Sequence, residues 1–481
     1  MSLFKFFRLI FTILAIVGIA FLFPVITALV CKEYSVLPAF LIPMGVNIVL
    51  GAFAFFREKK YAFKFSTRDV FIFVALSWIA ICISGSVPLF LSGAIKNPVD
   101  AIFEGVSGFT TTGSTILSEV ESLPRSINLW RCEMHWLGGM GIIALTVALL
   151  PLLGVGGFNL IKAESTGPDK GKITPKMANT AEVLWFLYLA LTIIHAIALK
   201  ICGMDFIDSI SYAFSTLGTG GFATRNASIA SYNSLSIEII CTVFMFLSGI
   251  NFSLYFYLLT RKFDEVKKNS ELKGYVLIFC GSAILIAIFL IPYYGSFWSA
   301  LRYSFFQVGA IMTTSGYATA DYLLWPSAAQ FLLFLLFFTG GSAGSTSGGF
   351  KVIRWIILAK QAKNEMLRML HPQGIFSVRI NGKAGRKDLI YNVAAFTFVY
   401  FALVIVTTFF SAISGLDILT SFTASLSMVG NVGPAFGALG PTANYGFLHP
   451  ALKLWYCFAM IAGRLEIYNL IIFFLPAYWE D

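Results

Sequence analysis

Charge is what this sequence has least of. Only 12% of its 481 residues are Asp, Glu, Lys or Arg, while 58% are apolar. Soluble domains carry about a quarter charged residues, so this balance excludes an ordinary water-soluble globule and points to lipid as the solvent. Histidine is scarce too. His135, His195 and His371 belong to no ligand or catalytic spacing, and His449 sits at a helix start. The seven cysteines, Cys31, Cys82, Cys132, Cys202, Cys241, Cys280 and Cys457, lie mostly inside apolar runs without metal-ligand spacing or a disulfide framework. They read as small buried apolar residues. No Ser–His–Asp arrangement, HExxH motif, paired-carboxylate pattern or GxGxxG fingerprint occurs. These absences argue against an enzyme and against a cofactor in this chain. Nucleotide sensing or energy coupling, where needed, must come from another chain.

Long hydrophobic runs are abundant. Stretches of about twenty apolar residues span a bilayer as helices. Ten are expected, at 3–29, 35–56, 69–93, 128–154, 181–202, 235–260, 274–294, 328–362, 388–413 and 449–478. The first carries Lys5 and Arg8 but no small-residue cleavage site, which predicts a retained helix. The net charge of +10 is concentrated in Arg57–Arg68, Lys162–Lys176, Arg261–Lys273 and Lys351–Lys387, which with Lys5 and Arg8 hold 25 of the 34 basic residues. All fall on one side if the ten segments alternate. Positive charge marks the cytoplasmic side, so both termini are expected there, and lipid contact explains the charge without nucleic acid.

Four connections on the opposite side are long and rich in Gly, Thr and Phe: Ile95–Asn128, Gly203–Asn233, Gly295–Ser327 and Gly415–Pro450. Each lies between two spanning segments, giving helix–loop–helix four times after a leading hairpin. The loops contain FTTTGST (109–115), LGTGGFAT (217–224), MTTSGYAT (312–319) and VGNVGPAF (429–436). Their glycines align as Gly113, Gly221, Gly316 and Gly433, a degenerate internal repeat. A short half-buried helix is expected before each, with Asp100 and Asp208, thirteen residues ahead of their glycines, as N-caps and a looser register at Asp417. Non-helical backbone at membrane depth is tolerated only where protein or water surrounds it, so these read as re-entrant loops lining a water-filled path.

Such loops suit a cation. Backbone carbonyls replace the water shell of a dehydrated potassium ion. Glycine adopts the required conformations without steric cost. The hydroxyls of Thr111, Thr112, Ser114, Thr219, Thr314 and Ser315 are placed to add oxygen. No carboxylate lies in these segments, which disfavours a divalent-cation ring. The predicted filter is Thr111, Thr112, Gly113 and Ser114; Thr219, Gly220, Gly221 and Phe222; Thr314, Ser315, Gly316 and Tyr317; and Asn431, Val432, Gly433 and Pro434.

Two gate elements stand out. The eighth segment is interrupted by Gly340, Gly341, Ser342, Ala343, Gly344, Ser345, Thr346, Ser347, Gly348 and Gly349. Each Gly costs a helix several tenths to about 1 kcal/mol, which predicts an unwound stretch in mid-membrane. Arg464 lies well inside the final segment, where a charge costs at least about 2.5 kcal/mol and marks function. Glu466 is not at helical pairing distance from it.

These motifs, together with WLGGMGI (136–142), FLSGIN (246–251), GGSAGSTSGGFK (340–351), AGRLEIYNL and the stretch AESTGPDKGKITPK (163–176), make the whole chain resemble the TrkH-type subunits of the Trk/Ktr/HKT superfamily of potassium transporters. The resemblance implies an all-α polytopic membrane protein with four pseudo-symmetric helix–pore loop–helix repeats around one ion pore, plus an N-terminal helical hairpin: about ten spanning helices and four re-entrant pore helices. The expected divisions are 1–60 for the hairpin and 61–160, 161–265, 266–370 and 371–481 for the repeats. It further implies a homodimer in a bacterial cytoplasmic membrane, uptake of K⁺ (and Rb⁺), and a TrkA-type cytoplasmic regulatory partner that binds nucleotide and NAD(H). The basic stretches 57–68, 261–273 and 351–387 suit docking of that partner or, equally, a topology signal and contact with lipid headgroups. The 340–349 stretch matches the family's intramembrane loop that obstructs the pore, and Arg464 matches a pore-facing Arg. Sodium-favouring members of the HKT branch carry Ser where this chain has Gly113, so potassium is expected. A sodium or mixed Na⁺/K⁺ conductor and an ion-coupled K⁺ symporter remain alternatives. An inverted-repeat transporter would carry paired broken helices, whereas only one span is visibly broken in the sequence.

Overall fold

A computed structural model describes residues 3–56, 67–141, 177–384 and 387–480. The basic stretches around 57–66 and 162–176, and the end of the segment expected at 128–154, lie outside the described residues. Among the described residues the fold is helical, with one short antiparallel ribbon pairing Arg379–Ile380 with Lys383–Ala384.

A hairpin comes first: α1 (Leu3–Ala20) and α2 (Leu22–Val30) run out, and α3 (Leu37–Phe56) returns against α1. Then come α4 (Thr67–Leu91), the short α5 (Pro98–Phe109) and α6 (Arg125–Met140). Next are α7 (Met177–Ile201), the short α8 (Phe206–Gly218), α9 (Leu235–Ser248), α10 (Phe252–Leu259) and α11 (Phe263–Lys268). They are followed by α12 (Ser270–Tyr294), α13 (Phe297–Met312), α14 (Ser327–Leu336) and α15 (Val352–Leu370). Last come α16 (Lys387–Ile413), α17 (Ile418–Gly430), α18 (Pro450–Arg464) and α19 (Tyr468–Ile471). Six helical stretches among the described residues are long and apolar enough to cross a membrane, and two bent pairs bring this to eight.

Those bends correct the expectation of a single broken span. The stretch expected at 235–260 turns by 93° between α9 and α10, and that at 449–478 by 117° after Arg464. The third break runs from the end of α14 at Leu336 to the start of α15 at Val352, and α6 stops at Gly141, whose φ is 74°. Each break carries Gly or a residue of positive φ: Gly249, Gly344, Gly349, and Glu466 with Ile467. A hydropathy window averages across one or two residues and misses such a kink.

Short helices α5, α8 and α17 start in one register, and the expected caps are corrected by three residues. Asn97 accepts from the Val99 N–H, Asp205 from Ile207 and Asp417 from Thr420. Asn97, Asp205 and Asp417 each precede their loop glycine by sixteen residues, so the fourth loop is in step with the others. Asp100 and Asp208 fall in the first turn, where a carboxylate still favours the helix N-terminus. Helix α13 begins after Ser296 with no side-chain cap.

The packing closes on itself. Helix α6 packs on α8, α9 on α13, and α18 back on α5. Between the third and fourth units, Phe334 of α14 meets Phe422 of α17 with ring centroids 6.3 Å apart. The C-terminal halves of the four short helices are buried at the centre of this circuit.

Candidate functional site: a ring of four glycine loops

Each short helix unwinds into the same backbone pattern. Thr111, Thr219, Thr314 and Asn431 are left-handed, with φ of 56°, 56°, 58° and 54°. Two residues later Gly113, Gly221, Gly316 and Gly433 are left-handed again, at 78°, 84°, 68° and 102°. An L-residue at such a φ costs about 1–2 kcal/mol, which the glycines avoid.

The four loops meet in a closed order. A Cβ on Gly113 would collide with the carbonyl oxygen of Gly220, and one on Gly221 with that of Ser315. One on Gly316 would collide with the Val432 carbonyl, and one on Gly433 would lie 2.6 Å from that of Thr112. Each oxygen belongs to the residue just before the next glycine, so Thr112, Gly220, Ser315 and Val432 contribute one ring of carbonyls. Close approach at every seam thus requires glycine for space as well as for φ.

Most of the hydroxyls named from the sequence are held by protein partners. Ser114 Oγ donates to the Gly433 carbonyl at 3.1 Å. Thr112 Oγ1 lies 2.8 Å from Thr110 Oγ1 and accepts from Asn431 Nδ2 at 3.0 Å. Ser315 pairs with Thr313 at 2.8 Å, and Thr219 Oγ1 donates to the Gly218 carbonyl at 2.6 Å. Thr314 Oγ1 accepts from the Gly348 N–H at 2.8 Å.

Side chains behind the ring brace its seams. Phe222 stacks on His135 with centroids 4.2 Å apart, and Arg131 covers its other side at 4.3 Å. Tyr317 is buried and accepts from Thr216 Oγ1 at 3.2 Å. The Tyr322 hydroxyl donates to the Ala435 carbonyl at 2.6 Å, and that of Tyr445 to Gly433 at 2.8 Å. Glu104, Arg131, His135, Tyr322 and Tyr445 were not singled out from the sequence as site residues. The signal for the first three was available: ionisable residues in short apolar helices need a partner or a role.

The 340–349 stretch is unwound and passes beneath the ring. Besides the Gly348–Thr314 bond, a Cβ on Gly348 would lie 2.6 Å from the Gly430 carbonyl and 2.9 Å from Asn431 Cβ. The loop is pinned at Ser342, whose N–H donates to Gly249 at 2.8 Å, and at Gly344, whose carbonyl accepts from Phe252 at 3.0 Å. Glu271 Oε1 accepts from the N–H groups of Ala343 at 2.7 Å and Ile353 at 3.1 Å, holding both ends. Lys351 is buried and its Nζ donates to the carbonyls of Ser347 and Gly348. Arg464 donates to the loop at Thr346, 2.9 Å away, and to buried carbonyls at the end of α6, Gly138 at 2.6 Å and Gly139 at 3.1 Å. Glu466 pairs with Arg354. Ring, loop and Arg464 therefore form one connected assembly.

Comparison with known proteins agrees in extent and detail. The sequence model of the TrkH family, described as a cation transport protein, matches residues 36–294 and 295–480. The chain is 36% identical to the Trk system potassium uptake protein TrkH of Halomonas elongata over the full length of both. It is 36% identical to the Trk system potassium uptake protein TrkG of Escherichia coli, covering 95% of each. The crystal structure of the potassium transporter TrkH from Vibrio parahaemolyticus superposes over the full length of both chains with a TM-score of 0.88 at 32% identity. This chain, a membrane protein with several apolar helices, belongs to the TrkH family of cation transport proteins, a family of transporters and not of enzymes.

Proposed function

We propose that this protein takes up potassium ions across a bacterial cytoplasmic membrane through a channel-like pore whose filter is the ring at Gly113, Gly221, Gly316 and Gly433. The closed ring of carbonyls carries the reading. A left-handed residue at every second position lets successive carbonyls face one side of the strand, which an oxygen cage for a dehydrated cation needs. The negative C-terminal ends of α5, α8, α13 and α17 lead to the same place and favour a cation there. Four helix–loop–helix repeats after the hairpin, divided near 60, 160, 265 and 370, arrange these loops around one axis.

The 340–349 loop and Arg464 are the gate. The loop lies against Thr314 and Asn431 at the base of the ring, and a fixed positive charge beside it raises the barrier to a passing cation. Relief of this obstruction comes from a TrkA-type nucleotide- and NAD(H)-binding protein acting on the basic cytoplasmic face of a homodimer. No cofactor belongs to this chain, and K⁺ is its cargo.

The three broken spans among the described residues are what an ion-coupled symporter would also carry, so that reading stays as the competitor, beside a sodium or mixed conductor. Rubidium uptake into liposomes holding the purified chain, with competing K⁺ and Na⁺ and an imposed or collapsed pH gradient, separates them. Uptake blocked by K⁺, indifferent to Na⁺ and independent of the pH gradient is expected. Equal block by both ions sinks potassium selectivity, and an absolute need for the gradient sinks the channel reading.

A further inference from the structure

One ion pair among the described residues has both side chains at 1% exposure or less: Glu104 of α5 with Arg131 of α6. It stands behind the ring, and its geometry is that of a clamp. Glu104 Oε1 accepts from Arg131 Nε at 2.9 Å and from its terminal nitrogen at 2.7 Å. The same carboxylate accepts from Thr115 Oγ1 at 2.8 Å and from the Ile116 N–H at 3.0 Å, the outgoing strand of the first loop. Arg131 reaches the second loop. Its guanidinium lies 4.3 Å from the Phe222 ring centre and donates to the Ala223 carbonyl at 3.4 Å. Asn128 completes the set by accepting from Arg131 at 3.2 Å.

The same helix position, nine residues before the loop glycine, is occupied differently in the other three units. Tyr212 donates to the Ser228 carbonyl at 3.4 Å, Gln307 to the Ala320 carbonyl at 3.2 Å, and Ala424 has no polar side chain, its neighbour Thr423 bonding Phe436 instead. Those are neutral bonds within one loop. Charge-assisted bonds are shorter and stronger, and the planar guanidinium fixes direction as well as distance. In low dielectric a lost partner leaves the other charge unsatisfied, so the pair holds as a unit.

We infer that Glu104 and Arg131 are positioning residues for ion selection: together they fix the spacing between the first and second loops and so set the width of the ring on that side. This rests on the reading of the ring as a potassium filter. The first–second seam is then the stiff side of an unequal ring. Its loosening admits ions of other sizes before it abolishes flux.

The test uses the full chain and two near-isosteric variants. Glu104→Gln keeps an acceptor for the Ile116 N–H but removes the charge. Arg131→Lys keeps the charge but loses the fork and the cover over Phe222. Two measurements are made on each: the ratio of Rb⁺ to Na⁺ uptake in liposomes, and the thermal protection of the purified protein by K⁺ relative to Na⁺, which needs no conduction. Both variants are expected to lower the uptake ratio several-fold and to shrink the K⁺-specific protection, with the double variant no worse than the worse single one. Parental ratios and parental K⁺ protection in either variant overturn the assignment. A variant that does not conduct is judged by protection alone, on the same terms. A parent chain that does not prefer Rb⁺ overturns the potassium reading itself, and this inference with it; a selective parent with unchanged variants overturns only the clamp.

Discussion

Arg464 and Thr346 lie 118 residues apart in the chain, and the Arg464 guanidinium donates to the Thr346 carbonyl at 2.9 Å. The bond joins the break after α18 to the loop beneath the ring. A hydrogen bond from a charged group contributes about 1.5–3 kcal/mol. Replacing Arg464 by Ala removes this bond and the local positive charge together. Rubidium uptake by Arg464→Ala is expected to rise at least about tenfold, the change that about 1.4 kcal/mol of loop stability corresponds to. Uptake at the parental rate would count against Arg464 as part of the gate.

Glu271 offers a second handle on the same loop, from outside it. Glu271→Ala leaves the buried N–H groups of Ala343 and Ile353 without their acceptor. An unmet buried donor costs about 1–3 kcal/mol. The variant should melt earlier and leak rubidium, whereas Glu271→Gln, which retains an oxygen at that position, should stay close to the parent. Equal behaviour of the two variants would show that the charge and not the bonds holds the loop.

Gly113 has both a φ of 78° and no room for a side chain beside the Gly220 carbonyl. Gly113→Ala adds about 1–2 kcal/mol of left-handed strain and drives its Cβ into the Gly220 carbonyl, so the seam must shift, and in protein that assembles rubidium uptake is expected no longer to resist competing Na⁺. Competition curves identical to those of the parent would refute the ring as the selective element.

Asp417 caps α17 and is held below the usual carboxylate range by hydrogen bonds from the Thr420 hydroxyl and N–H. Its folded pKa is depressed, so the stabilisation is complete above the unfolded value near ~4 and fades as pH falls through the folded one. Asp417→Ala should lose roughly 1 kcal/mol at pH 7. Melting curves of parent and variant should converge on acidification below about pH 4. A gap that persists or widens in acid would assign the effect to something other than the cap.

The sequence pattern led directly to the four glycines because each combines a left-handed φ with no room for a Cβ against the next loop's carbonyl, so the constraint is written in the residue itself. The unwound stretch at 340–349 was legible for the same reason: ten residues of Gly, Ser, Thr and Ala do not sustain a helix. The breaks at Gly249 and after Arg464 were not visible, since apolar residues on both sides keep the mean hydropathy high across a kink. Caps were misplaced by three residues because Asp is welcome both at the cap and in the first turn, and only the N–H partner distinguishes them. Closure of the ring depends on contacts between residues from about a hundred to more than three hundred positions apart, such as Gly113 with Gly220 and Gly433 with Thr112. The pairing of Glu104 with Arg131 likewise spans two helices whose relative placement no local pattern sets.

The ring closes within a single polypeptide, and this has a consequence for how such a protein changes over generations. A ring of identical subunits receives every mutation four times, so a slightly harmful substitution is multiplied at once around the whole circle. Here one codon alters one quadrant. Thr112, Gly220, Ser315 and Val432 can differ because none has to tolerate three copies of itself. If the ring is the filter, as proposed, ion preference is open to adjustment one quadrant at a time, with the other three left unchanged.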